Sequence, residues 1–191
     1  MELLKNKINE CAKVLPGDML KVDGFLNYQI DVGFVAKLGR EWYERFKECG
    51  VTKILTIESA GIGIACLAAQ YFDVPVVYAK KNKTLPHPDE VYATKVVSYT
   101  HGQVYEISVL KEHISPNDKI LLIDDFVSNG SALKVLIQLA EMGGAEVVGA
   151  GVAIEKTYSK GGNDIRSMGY RLESLVKIAA MDPENGVTFA E

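Results

Sequence analysis

Lys119-Ile-Leu-Leu-Ile-Asp-Asp-Phe-Val-Ser-Asn-Gly-Ser-Ala132 decides how the rest of the chain is read. Four aliphatic residues in succession, Ile120 to Ile123, spell a strand buried on both faces, and the run meets two adjacent acids, Asp124 and Asp125, where the strand is expected to end. A small polar turn, Ser128-Asn129-Gly130-Ser131, follows, and then Leu133, Leu136, Ile137 and Ala140 recur at helical spacing. In an open parallel sheet such a junction lies in the crevice at the carboxyl ends of the strands. Turn amides and the start of a helix face outward together there, which suits a phosphate.

Glu58-Ser-Ala-Gly-Ile-Gly63 repeats the design after a strand over Val51 to Ile57, and the helix behind it, apolar nearly all round, is expected to be buried. Upstream, Asp31 caps a helix whose apolar positions Val35, Leu38, Trp42, Phe46 and Cys49 step by three and four and stop at Gly50. Leu4, Ile8, Cys11 and Leu15 share a face of a first helix ended by Pro16-Gly17, and Met19 to Ile30 reads as an irregular flap. Val74 to Ala79 makes the next strand, broken open by Lys80, Lys81 and Lys83. Pro86, His87, Pro88 and Asp89 describe a loop placed to move over a ligand, and Tyr92 to Tyr99 and Val104 to Val109 form a hairpin through His101-Gly102. Gly143-Gly144 stops the central helix, and Val147 to Ile154 is another buried strand, ending in Glu155-Lys156. Lys160-Gly161-Gly162 reads as a loop, Asp164 to Met168 as a short helix, and Arg171 to Ile178 and Gly186 to Phe189 as strands. This alternation predicts one α/β domain over 1–191 with a parallel, doubly wound core.

A chain of 191 residues suits one such domain, which buries roughly 70% of the surface of its unfolded chain. The net charge of −4 gives no general attraction for nucleic acid. Charges at Glu2, Lys5, Lys7, Glu10 and Lys13 interrupt any signal-peptide core, and no stretch is apolar enough to span a membrane. Cys11, Cys49 and Cys66 are widely spaced and read as buried thiols rather than a metal site or disulfides, which implies a reducing compartment, the cytoplasm.

Adjacent carboxylates repel one another, and desolvating either without a partner costs several kcal/mol, so Asp124 and Asp125 need donors or a cation. One bland reading has the first capping the turn and the second solvated. The loop argues for more: its small residues let amides converge on an anion, and a helix start favours negative charge by ~0.3 to 2 kcal/mol. Acids beside an amide nest suit a phosphorylated sugar, hydroxyls on the carboxylates and phosphate in the nest.

Ile123 to Ala132 resembles the phosphoribosyl pyrophosphate signature of the type I phosphoribosyltransferases. The similarity continues through Ile57-Glu-Ser-Ala-Gly61, Tyr78-Ala-Lys-Lys-Asn-Lys83, Ile154-Glu-Lys156, Gly169-Tyr-Arg-Leu-Glu-Ser-Leu175 and, at the flap, Leu20 to Asn27. It implies that family's fold, a parallel sheet flanked by helices with a small hood from about 15–30 and the C-terminal strands. It also implies a purine salvage reaction, with xanthine and phosphoribosyl pyrophosphate as substrates, Mg²⁺ carried in by the pyrophosphate rather than held by the protein, and a homodimer. By the resemblance, Ser128, Asn129, Gly130, Ser131 and Ala132 cradle the 5′-phosphate, and Asp124 and Asp125 face the ribose hydroxyls. Glu58, Ser59, Ala60 and Gly61 hold the pyrophosphate, with Lys81 offering charge to it. Leu20, Asn27, Lys156 and Phe126 meet the base. A lysine only donates, so Lys156 favours a 6-oxo purine over adenine, and Asn27 can donate to a 2-oxo group or, flipped, accept from a 2-amino group.

Two departures stand out. Hypoxanthine- and guanine-using relatives place an acid two residues beyond Phe126, as base for the purine ring nitrogen, where this chain has Ser128; and Asn129 stands where the signature usually has Thr. Xanthine is a fairly acidic purine that arrives partly deprotonated, so the missing base agrees with it. Hypoxanthine or guanine specificity remains the nearest alternative. A further one is a non-catalytic regulator sensing phosphoribosyl pyrophosphate, against which stand the acidic charge and the short segment, about 30 residues, before the first core helix.

Overall fold

The computed structural model describes residues 1–82, 88–97 and 104–190. The chain opens with α1 (Glu2–Cys11), a hairpin of β1 (Lys13–Leu15) and β2 (Met19–Lys21), and α2 (Val32–Phe46). Then come β3 (Lys53–Ile57), α3 (Ala60–Phe72), β4 (Val76–Asn82), β5 (Val91–Val97) and β6 (Val104–Leu110). The second half runs β7 (Lys119–Val127), α4 (Ser131–Met142), β8 (Glu146–Lys156), α5 (Gly161–Ser167), β9 (Leu172–Asp182) and β10 (Gly186–Phe189). Among the described residues eight strands form one sheet in the order β10-β9-β8-β7-β3-β4-β6-β5, parallel from β9 to β4 and antiparallel at both edges.

Strand β7 divides the interior in two. Leu121 and Ile123 point into one core with α1, α2 and α3, while Ile120 and Leu122 point into the other with α4 and α5. All four are fully buried, as an aliphatic run between two helical layers must be, and truncating any one to alanine costs about 2–5 kcal/mol. The expected cap of α2 is present: the Asp31 carboxylate accepts from the Phe34 amide at 3.1 Å and also pairs with Lys7 of α1 at 3.1 Å.

The connections set the site. β3 runs into α3 on one face of the sheet and β7 into α4 on the other, so the order reverses between these two neighbours. β7 pairs with β3 only as far as Leu122, although it stays paired with β8 as far as Val127. Beyond Leu122 the sheet therefore opens into a crevice at a topological switch point.

Several elements differ from the sequence reading. β7 continues through Asp124 and Asp125 because β8 supplies partners to Val127, and β8 likewise runs on through Glu155 and Lys156 beside β9. β4 is not broken open at Lys80: antiparallel pairing with Ser108, Ile107 and Glu106 carries it to Asn82. α1 ends at Cys11, Leu15 lies in β1, and Pro16 to Asp18 turn a hairpin that packs against β9 and β10. Gly161 and Gly162 begin α5 rather than forming a loop. The thiols are not buried: Cys66 is exposed on the open face of α3, Cys11 is exposed at the end of α1, and Cys49, in the turn after α2, is partly exposed. Residues 83–87 and 98–103, which include Lys83, Pro86, His87 and the His101-Gly102 turn, lie outside the described residues; Pro88–Glu90 is a short 3₁₀ turn. Among the described residues no helix is long and apolar enough to cross a membrane.

Candidate active site

A cavity of ≈ 430 Å³ fills the crevice between β3 and β7. Its wall brings together Glu58, Ser59, Ala60, Gly61, Lys81, Asp124, Asp125, Phe126, Ser131 and Ala132, with Asn27 reaching in from the flap. Four stretches far apart in sequence thus meet in one space.

Both long helices that start here, α3 after Ser59 and α4 after Gly130, lack a side-chain cap, so their first turns leave N–H groups for an anion. On α4 the Ser131 amide is already taken by the Asn129 side chain at 3.0 Å, which leaves the donors further into the turn. Glu58 ties β3 to its neighbour: its amide donates to Ala79 O at 3.1 Å, and its carboxylate accepts from the Lys81 amide at 2.5 Å. That bond fixes the backbone at Lys81 beside the cavity. The Glu58–Ser59 peptide is cis.

The acids differ from one another. Asp124 is 4% exposed, and Asp125 is partly open to the cavity. Burial, reinforced by the repulsion of Asp125, pushes the Asp124 carboxyl well above the ordinary aspartate range, and its bond from the Asp125 amide at 3.0 Å and the charge of Lys81 offset only part of this. Asp125 in turn accepts from the Phe126 amide at 2.8 Å. Neither makes an ion pair among the described residues. Close by, the Thr56 hydroxyl is buried without a hydrogen-bond partner. A Cβ on Gly61 would lie 2.2 Å from that hydroxyl oxygen and 3.1 Å from Asp124 Oδ1, so only glycine lets α3 begin this close to the two strands.

The remaining candidates lie around the cavity rather than in its wall. Ser128, Asn129 and Gly130 form a loop backed by the start of α5: Gly161 donates to Ser128 O at 2.9 Å, and the Ser128 and Ser159 hydroxyls are 3.1 Å apart. Leu20 is 7% exposed and packs into the core under the flap. Lys156, at the end of β8, turns its ammonium to the hairpin, donating to Asp18 O at 2.5 Å and Asp18 Oδ2 at 3.2 Å. Beside it Glu155 is buried in a two-pronged pair with Arg166 at 2.7 and 2.8 Å and accepts from Ser174.

Sequence reasoning did not single out Asp18, Thr56, Tyr158, Ser159, Arg166 or the role of Gly161. The Gly161-Gly162 pair was a visible signal, and so was Pro-Gly-Asp as a hairpin turn. The 138-residue separation of Lys156 from Asp18 carries no local signal at all.

Two helix starts without side-chain caps and an acid pair in β7 beside a switch point make an arrangement suited to a sugar phosphate. The chain belongs to the phosphoribosyl transferase domain family, whose model matches residues 33–175. Curated relatives named xanthine phosphoribosyltransferase include those of Lachnoclostridium phytofermentans, 48% identical over 97% of this chain and 96% of that one, and Ruminiclostridium cellulolyticum, 45% identical over the full length of both. Among solved structures, APRTase from Giardia lamblia complexed with 9-deazaadenine matches with a TM-score of 0.79 at 22% identity, covering 93% of this chain and 98% of that one. Adenine phosphoribosyltransferase from Rhodothermus marinus matches with a TM-score of 0.74 at 22% identity, covering 93% and 99%. At that identity the structural likeness concerns the fold.

Proposed function

We propose that this chain transfers the phosphoribosyl group from phosphoribosyl pyrophosphate to xanthine: N9 of the purine bonds to the anomeric carbon as pyrophosphate leaves, giving xanthosine monophosphate. The observation that carries the reading is the single cavity lined by Glu58 to Gly61, Asp124 to Phe126, Ser131 and Ala132. Near-full-length relatives at 45–48% identity with that activity in their names support the choice of base.

In this reading the protein works by positioning and electrostatics, with no covalent intermediate. Ser128 to Ala132 and the α4 start hold the 5′-phosphate. Ser59 to Gly61 and the α3 start hold the pyrophosphate, with Lys81 adding charge. Asp124 and Asp125 meet the ribose hydroxyls and steady the positive charge that develops on the sugar. Asn27 and Lys156 donate to the 2-oxo and 6-oxo groups, Phe126 lies against the ring, and Leu20 backs the flap. Ser128 offers no carboxylate to take a proton from the purine, and acidic xanthine needs little help.

A magnesium ion entering with the substrate fits these residues. Asp124 and Asp125 present hard oxygen ligands, make no ion pair among the described residues, and would face an ion that the pyrophosphate carries in. The chemistry such an ion would supply is positive charge for the departing pyrophosphate. The reading also includes a cytoplasmic homodimer. Exposed Tyr78 and Leu110, beside a groove of ≈ 590 Å³ on β4 and β6, give it a candidate contact face, which light scattering tests.

The direct test mixes the protein with phosphoribosyl pyrophosphate, Mg²⁺ and xanthine and measures xanthosine monophosphate and pyrophosphate, expected in equal amounts. Binding of phosphoribosyl pyrophosphate with no turnover on any purine would instead point to a sensor.

A further inference from the structure

The turn of the β1–β2 hairpin reaches across to the end of β8 and grips Lys156 from both sides of one residue. Asp18 sits at the tip with a left-handed backbone, φ 60°. Its carbonyl accepts from the Lys156 ammonium at 2.5 Å, its Oδ2 accepts from the same nitrogen at 3.2 Å, and its Oδ1 accepts from the Tyr158 hydroxyl at 2.5 Å. Every acceptor of the turn residue is therefore engaged, and two of the three ammonium N–H bonds are used, leaving one without a partner among the described residues. Lys156 is nearly buried, its side chain 10% exposed, whereas Asp18 is half open. A buried ammonium on four rotatable bonds has neither fixed direction nor charge balance of its own, and the carboxylate supplies both.

We propose that Asp18 is a positioning residue for purine selection: with Tyr158 as its brace, it pins Lys156 so that the remaining N–H is aimed at the 6-oxo group of the base. The proposal rests on the reading that Lys156 meets the purine. The flap is thereby part of base recognition through its turn as well as through Asn27, and the two ends of the grip, Asp18 and Tyr158, lie outside the cavity wall itself. The Asp18 carboxylate keeps the charge that this role needs. Burial works against that charge, but the bonds from Tyr158 and Lys156 outweigh burial and hold the carboxyl below the ordinary range. In Tyr158, burial and the Asp18 carboxylate both push the phenol up, so it stays a donor.

The test is steady-state kinetics of the full chain with xanthine and phosphoribosyl pyrophosphate in the presence of Mg²⁺. Asp18→Asn is the informative variant because asparagine tolerates a left-handed backbone and keeps the carbonyl contact. It is expected to raise KM for xanthine about tenfold, with a smaller change in kcat and none in KM for phosphoribosyl pyrophosphate. Tyr158→Phe should move KM for xanthine the same way by about threefold. In a Lys156→Ala background Asp18→Asn should add nothing. An unchanged or lowered KM for xanthine in Asp18→Asn overturns the proposal, as does a parallel rise in both KM values or a full additional loss on top of Lys156→Ala. If Lys156→Ala itself leaves KM for xanthine intact, it is the assignment of Lys156 to the base that fails, and the positioning role falls with it.

Discussion

Asp124 is nearly fully buried beside a second carboxylate, and the fold keeps it there against its own stability. Its raised pKa fixes the sign. The folded state holds this proton more tightly than the unfolded one, so the contribution of Asp124 is complete below about pH 3.8, the ordinary value, and is lost as pH rises through the folded value. Asp124→Asn removes that cost while keeping the shape. It should raise Tm at pH 7, by about 2–4 °C for each kcal/mol recovered, with the gain shrinking toward pH 4, while turnover falls. Calorimetry at the two pH values checks this; a lower Tm at pH 7 would mean the carboxylate has a stabilising partner. With Asp125→Asn added, turnover should fall by orders of magnitude with the fold intact, and unchanged activity would return both acids to a capping role.

At the scale of elements, the Ser128–Gly130 loop, to which the proposed reading assigns the 5′-phosphate, depends on α5. A Cβ on Gly161 would stand 2.2 Å from Gly130 N and 2.3 Å from Ser128 O, both backbone atoms that cannot swing away. Gly161→Ala should therefore cost about 1–3 kcal/mol in urea unfolding and raise KM for phosphoribosyl pyrophosphate much more than KM for xanthine. Equal effects on both would mean that α5 supports the whole crevice. Glu155 anchors the same helix from beneath. Burial opposes its charge, but Arg166 and Ser174 prevail and hold its carboxyl below the ordinary range. Its contribution is present above about pH 4.5 and lost as pH falls through the folded value, so Glu155→Gln should flatten the acid limb of the stability profile and, because Arg166 keeps some access to water, cost about 1.5–3 kcal/mol at neutral pH. The existence of these elements was legible in aliphatic runs and caps. Their ends were not, because Lys80, Lys81, Asp124, Asp125, Glu155 and Lys156 are charged residues kept in strands by neighbours that a local pattern does not contain.

For the molecule as a whole, the sheet order places a switch point between β3 and β7, and both motif loops open there. The two stretches were readable from sequence as strand-to-loop-to-helix junctions of one design, and their meeting at one cavity follows from topology. What stayed hidden was everything joined over long separations: the Asp18 grip on Lys156, the Gly161 support of Gly130, and the core position of Leu20, whose neighbours come from other elements. Phosphoribosyl pyrophosphate with Mg²⁺, binding the folded chain alone, should stabilise it by about 2.7 kcal/mol at a hundredfold excess over Kd. The most direct measurement is the set of kcat/KM values for xanthine, guanine, hypoxanthine and adenine with phosphoribosyl pyrophosphate and Mg²⁺. With the proposed roles, a donor-only Lys156 at the 6-oxo group, Asn27 donating to a 2-oxo group and no carboxylate at Ser128, xanthine is predicted first and adenine last. Faster use of guanine or hypoxanthine, or any preference for adenine, would overturn the assignment of this crevice to xanthine.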